Sequence, residues 1–143
     1  MRLLRLVLDT NVYIAAALSP HGYSARLLRQ AGKRFELYVS PDILAEVSEK
    51  LVERAGYTKA AVSRFTSSIE AVTHSVQPQE KINAIAADPD DDRILECAVE
   101  AQAHLVVSND PHLYTFKQYR DIRIVRPHEL EGILPDEDAA VAA

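Results

Sequence analysis

The chain has 143 residues, of which 48% are apolar, 26% charged and 6% aromatic. That is one globular domain with enough apolar residues for a real core, and it excludes a disordered, fibrous or low-complexity chain. The net charge of −5 argues, on its face, against a nucleic-acid partner.

The start reads as a strand, Leu3 to Leu8, apolar but for Arg5. Continuous apolarity suits a strand covered on both faces, as in a parallel sheet. It stops at Asp9-Thr10-Asn11. A helix is expected from Val12 to Leu18, then a turn at Ser19-Pro20-His21-Gly22. Ser24 to Ala31 reads as a second helix, ended by Gly32. Phe35 to Val39 is a strand. Ser40 caps the next helix, with Pro41 at its first position and Ile43, Leu44, Val47 and Leu51 as its apolar stripe to about Arg54. Another helix spans Lys59 to Val72, and Ser75 to Gln77 forms a short edge strand. Asp88-Pro89 opens a helix carrying Ile94, Leu95, Ala98 and Val99. His104 to Ser108 is a strand and Asn109 to His112 a loop. Ile122 to Val125 is a last strand, and His128 to Leu134 a last short helix.

Strands alternate with helices almost throughout. The expected fold is α/β, a single three-layer α/β/α domain with a mostly parallel central sheet, over residues 1–134. Residues 135–143 are expected to be a disordered acidic tail. No apolar run nears the ~20 residues of a spanning helix, so no membrane association is expected. With no leader pattern at the N-terminus and one cysteine, Cys97, a cytoplasmic protein without disulfides is expected.

The acidity is concentrated. Asp136, Glu137 and Asp138 lie in the tail, and Asp88, Asp90, Asp91 and Asp92 in one five-residue run; without these seven the body is net basic. Several common engines are missing: there is no glycine-rich phosphate loop and no serine elbow. The histidines at 21, 74, 104, 112 and 128 lack metal-ligand spacing. His104 and Cys97 read as packing residues.

Carboxylates remain. Asp9 and Asp110 each follow a buried strand, where ligands and catalytic groups gather in parallel sheets. Their structural readings are a helix cap for Asp9 and an Asx-turn before Pro111 for Asp110. In the acidic run, capping by Asp88 and the helix dipole explain two or three acids but not four crowded together. A hard divalent cation would relieve that repulsion. Helical phase puts Asp92 on the flank of the Leu95–Val99 stripe, whereas Asp90 is more exposed.

These residues resemble the motifs of the PIN-domain family. Leu8-Asp9-Thr10-Asn11-Val12 is similar to its opening motif. Ser40-Pro41-Asp42-Ile43-Leu44-Ala45-Glu46-Val47 is similar to the segment carrying its glutamate. Asp92-Arg93-Ile94-Leu95-Glu96-Cys97-Ala98 resembles its central motif, and Val106-Val107-Ser108-Asn109-Asp110 its closing one. The resemblance runs from about Leu3 to Leu134 and is nearest the toxin-like, VapC-like branch of bacterial toxin–antitoxin pairs.

The resemblance implies a ribonuclease dependent on one or two magnesium or manganese ions, with Asp9, Glu46, Asp92 and Asp110 as catalytic and metal-binding residues. Glu46 rests mainly on the resemblance; its structural reading is a solvated partner of Lys50. In the acidic run, Asp91 stays an alternative to Asp92, which the motif register favours. Thr10, Asn11 and Ser108 are candidates to orient carboxylates or waters, with turn and cap bonding as the plainer role. Arg26, Arg29, Lys33 and Arg34 form one basic cluster for an RNA backbone, and Arg120, Arg123 and Arg126 another. Tyr114, Phe116 and Tyr119 are candidates to stack bases. The expected products carry a 5′-phosphate and a 3′-hydroxyl. An antitoxin partner and a homodimer are also implied. Two other readings compete: a catalytically silent PIN-fold scaffold, and a haloacid-dehalogenase-type phosphoaspartyl hydrolase, which normally has an aspartate where Asn11 stands.

Overall fold

A computed structural model describes residues 2–85 and 88–135. β1 (Leu4–Leu8) leads into α1 (Thr10–Leu18) and α2 (Tyr23–Arg29). β2 (Phe35–Val39) leads into α3 (Pro41–Ala55) and α4 (Lys59–Val72). After β3 (His74–Ser75) come α5 (Pro89–Glu100), β4 (Leu105–Val107), α6 (Pro111–Tyr114), β5 (Gln118–Tyr119) and β6 (Ile122–Val125). A 3-10 helix, Pro127–Gly132, follows.

The strands form one sheet in the order β3-β2-β1-β4-β6-β5. All neighbours are parallel except β5 against β6. β1 is central, and Leu6, Val7 and Leu8 are at most 1% exposed, so both its faces are covered. α5 packs on β1, β4 and β2, while α1 packs on α2 and α3, and α3 on α4. The expected α/β/α architecture with a mostly parallel sheet is the observed one.

Local chemistry sets most boundaries. Ser40 Oγ accepts from the Ile43 amide, and Pro41 needs no partner for an amide it lacks. Gly56 closes α3 at φ 65°, a left-handed cap that favours glycine. Thr58 caps α4 through the Ala61 amide. Three features depart from expectation. The edge strand is His74–Ser75, fixed by parallel pairing with Tyr38 and Val39. The loop after β4 contains a helical turn, α6, because Asp110 caps it and Pro111 opens it. β5 is a two-residue edge strand. It is flanked by Lys117 and Arg120 at positive φ rather than by glycines, so it carried no turn signal. Of the expected tail, 136–143 lie outside the described residues. Among the described residues, no helix is long and apolar enough to cross a membrane.

Candidate functional site

β1 and β4 are adjacent and parallel, so their carboxyl ends open on the same edge. The residues after them, Asp9 and the Ser108–Asp110 turn, are thereby brought together. Ser108 Oγ donates to Asp9 Oδ2 at 2.7 Å and accepts from the Asp110 amide at 2.9 Å. One hydroxyl thus ties two acidic loops that are about a hundred positions apart in the chain. Asp9 occupies the cap position of α1, yet its carboxylate makes no cap bond. Its side chain is 4% exposed, and burial raises its pKa, opposed by the Ser108 hydrogen bond.

α3 brings Glu46 to the same edge. Thr10 Oγ1 donates to Glu46 Oε2 at 2.9 Å, and Lys50 Nζ lies 2.9 Å from Glu46 Oε1. Lys50 also donates to Asn11 Oδ1 at 3.3 Å. The sequence pairing of Glu46 with Lys50 is real, but the pair is largely buried rather than solvated. Glu46, Asp110 and Lys50 all act electrostatically on Asp9.

The acidic run divides. Asp92 is 3% exposed, and its Oδ1 accepts from the Ala84 and Ile85 amides, both at 2.9 Å. One and two turns on, Glu96 accepts from the Ile82 amide and Glu100 from the Gln79 amide. These three acids, four residues apart, share one flank of α5 and fasten the segment from Gln79 to Ile85. Helical phase places Asp92 on the flank of the apolar stripe, within reach of a cleft at the sheet's edge, and the motif register favours it as the ligand; in the structure its Oδ1 meets backbone amides.

Asp91, about 100° round the helix, faces the acids. It is 5% exposed, and its Oδ2 accepts no hydrogen bond among the described residues. Burial pushes its pKa up to about 8, and the charges of Asp110, Asp88, Asp9 and Glu46 add to the shift. Asp88 caps α5 through the Asp90 amide. Asp110 Oδ1 caps α6 through the His112 amide, so its Asx-turn reading also holds. Ligand atoms of Asp88, Asp91, Asp110 and His112 lie within 4.8 Å of one another. His112 had no recognisable ligand spacing, because two of its partners, Asp88 and Asp91, come from the start of α5, some twenty residues earlier in the chain. The clue that was present was its place two residues after a strand-end aspartate.

The PIN-domain family pattern matches residues 5–112. The chain belongs to the PIN-domain family. This PIN domain is 26% identical over 120 residues to an uncharacterized protein of Methanocaldococcus jannaschii, covering 80% of this chain and 76% of that one. Its fold is similar to VapBC2 from Rickettsia felis, bound to a promoter DNA fragment, with TM-score 0.57 and 15% identity over 86% of this chain and 98% of that one. DNA-bound VapBC from Salmonella typhimurium gives 0.56 and 18%, over 87% and 99%. FitAcB from Neisseria gonorrhoeae gives 0.54 and 16%, over 86% and 98%.

The basic residues of this PIN domain do not form one surface. Arg34 is 4% exposed, with Nε on the Pro135 carbonyl and Nη1 on Gln30 and Glu131. It cross-links the C-terminal segment to α2, which removes it from the candidates for substrate contact. Arg29 reaches the Pro20 carbonyl, and Lys33 is exposed. Arg26 is exposed over the Tyr23 ring and lines a groove with Asn109 and His128. In the second cluster, Arg120 pairs with Glu80 and Arg126 lies 4.1 Å from the Tyr114 ring centre. Phe116 and Tyr119 pack edge-on against each other.

Proposed function

We propose that this PIN domain is a divalent-cation-dependent endoribonuclease, the toxin member of a toxin–antitoxin pair. One observation carries the reading: Asp91 is buried with an oxygen that accepts no hydrogen bond among the described residues, beside the carboxylates of Asp9, Asp88 and Asp110. A buried carboxylate without a partner is costly, and a cation is the partner that its acidic neighbours also favour. The residues therefore fit a cation held by Asp88, Asp91 and Asp110, with the charge of Asp9 acting on Asp91 from beside them.

Bound there, magnesium or manganese would supply the positive charge that polarises a phosphodiester and acidifies a water. The protein's own groups set the geometry. Ser108 holds the Asp9 carboxylate and the Asp110 backbone in one arrangement. Thr10 and Lys50 fix the two oxygens of Glu46, whose charge acts on Asp9 and Asp91. Lys50 partly offsets the acidic field that would repel an RNA backbone. Arg26, beside Asn109 in its groove, is the exposed cation best placed for a flanking phosphate. The antitoxin expectation draws on the VapBC likeness, and self-pairing belongs to the same reading.

The test is cleavage of an RNA panel with magnesium, with manganese and with chelator. Wild type should cut with metal only, and Asp91→Asn and Asp9→Asn should not. Cutting that persists in chelator, or equal cutting by Asp91→Asn, overturns the reading.

A further inference from the structure

The acids of this site have unequal neighbours. Glu46 has both oxygens occupied, by Thr10 and Lys50, and Asp9 Oδ2 is taken by Ser108. On the α5–α6 side the bonds are local caps that leave acceptor capacity free. Asp110 Oδ1 holds the His112 amide and Asp88 Oδ1 the Asp90 amide. Asp91 Oδ2 holds nothing among the described residues, although the residue is 5% exposed.

The fourth group on this side is an imidazole. The His112 ring is half exposed, and its Nδ1 stands 3.5 Å from Asp110 Oδ1, beyond an ordinary hydrogen bond. Its backbone amide is fixed by the same aspartate, so the ring is anchored close by without being committed. One donor atom from each of Asp88, Asp91, Asp110 and His112 falls within 4.8 Å of the others. Donors about 2.1 Å from a shared ion stand at most about 4.2 Å apart, so the group closes on an ion with a shift of a few tenths of an ångström.

We propose that His112 supplies a nitrogen ligand which, with Asp88, Asp91 and Asp110, makes this a mixed nitrogen–oxygen cation site preferring cobalt, nickel or zinc over magnesium. It deepens the proposed function and rests on that reading only in placing a cation at this edge of the sheet. The chemistry follows from the donor set. Magnesium keeps its waters and takes one or two carboxylates, gaining little from an imidazole. Later first-row ions bind imidazole well, and their affinities rise along the series toward copper.

The experiment uses the full chain freed of metal, titrated calorimetrically with cobalt(II) and with magnesium, and followed by proton NMR. Wild type should bind cobalt at least about tenfold more tightly than magnesium and show one hyperfine-shifted imidazole N–H proton. His112→Gln should lose that proton and roughly tenfold in cobalt affinity, with magnesium affinity unchanged. Asp91→Asn should weaken both ions. Thermal melting of each variant checks folding; His112 is exposed, so its variant should melt as wild type does. A retained shifted proton and retained cobalt affinity in His112→Gln overturn the inference, and so does unchanged binding by Asp91→Asn. If magnesium-dependent RNA cleavage is found while His112→Gln changes nothing, only this inference falls. If cobalt binds through His112 and no cation supports cleavage, only the nuclease reading falls.

Discussion

Asp91 and Asp92 are neighbours on α5, are equally buried, and have opposite fates. Asp92 meets two backbone amides and belongs to a flank that fastens the preceding segment. Asp91 meets other carboxylates and, among the described residues, has an oxygen without a donor. One flank of the helix satisfies its charges with protein, and the other does not. Satisfied buried acids build a fold; an unsatisfied one, kept among like charges, marks a place where something else binds.

The sharpest way to break that contrast is to remove each acid in turn. Asp91→Asn should abolish metal-dependent cleavage, by about a hundredfold or more, because a neutral amide no longer holds the cation. The same change should stabilise the metal-free protein, since it deletes a buried acid that must either take up a proton or stay charged beside like charges. Asp92→Ala should do the reverse. It leaves the Ala84 and Ile85 amides without their acceptor, costing roughly 2–4 kcal/mol in denaturant unfolding, while the folded fraction still binds metal. Equal loss of stability in both variants would remove the distinction.

Acidity offers a second handle. The pKa of Asp91 is pushed up to about 8 and that of Asp9 is raised, so the folded chain holds protons that the unfolded chain releases near pH 4. The contribution of Asp91 to stability is full below about pH 4 and is lost as pH rises through about 8, and Asp9 adds to it in the same direction. Metal-free protein should therefore melt at lower temperature at pH 8.5 than at pH 5. Asp91→Asn should flatten that slope, and a bound divalent cation should offset it.

Ser108→Ala sharpens the comparison at the junction of the two acidic loops. The Asp110 amide and Asp9 Oδ2 both lose their partner, for about 1–3 kcal/mol of stability and a weaker metal site. The smallest expected effect separates the two arginines. Arg34→Ala should lower stability by about 1–2 kcal/mol with RNA affinity unchanged, because its guanidinium is committed to Glu131 and Pro135. Arg26→Ala should leave stability alone and weaken RNA binding a few-fold in a filter assay.

The sequence alone determined the α/β architecture, the central buried strand, the cap and stripe of α3, and the strand-end position of Asp9 and Asp110. These rest on local chemistry: apolar periodicity, a serine before a proline, and an aspartate where a strand stops. Motif order also carried Glu46 to the right edge of the sheet. Tertiary structure alone decided which acid of the 88–92 run faces the others, that Arg34 is a buried cross-link, and that His112 stands beside Asp91. In each case the deciding partner lies on another element, and helical phase fixes only an angle about an axis. What that angle meets, a row of amides or a row of carboxylates, is set by packing between segments that the chain brings together from far apart.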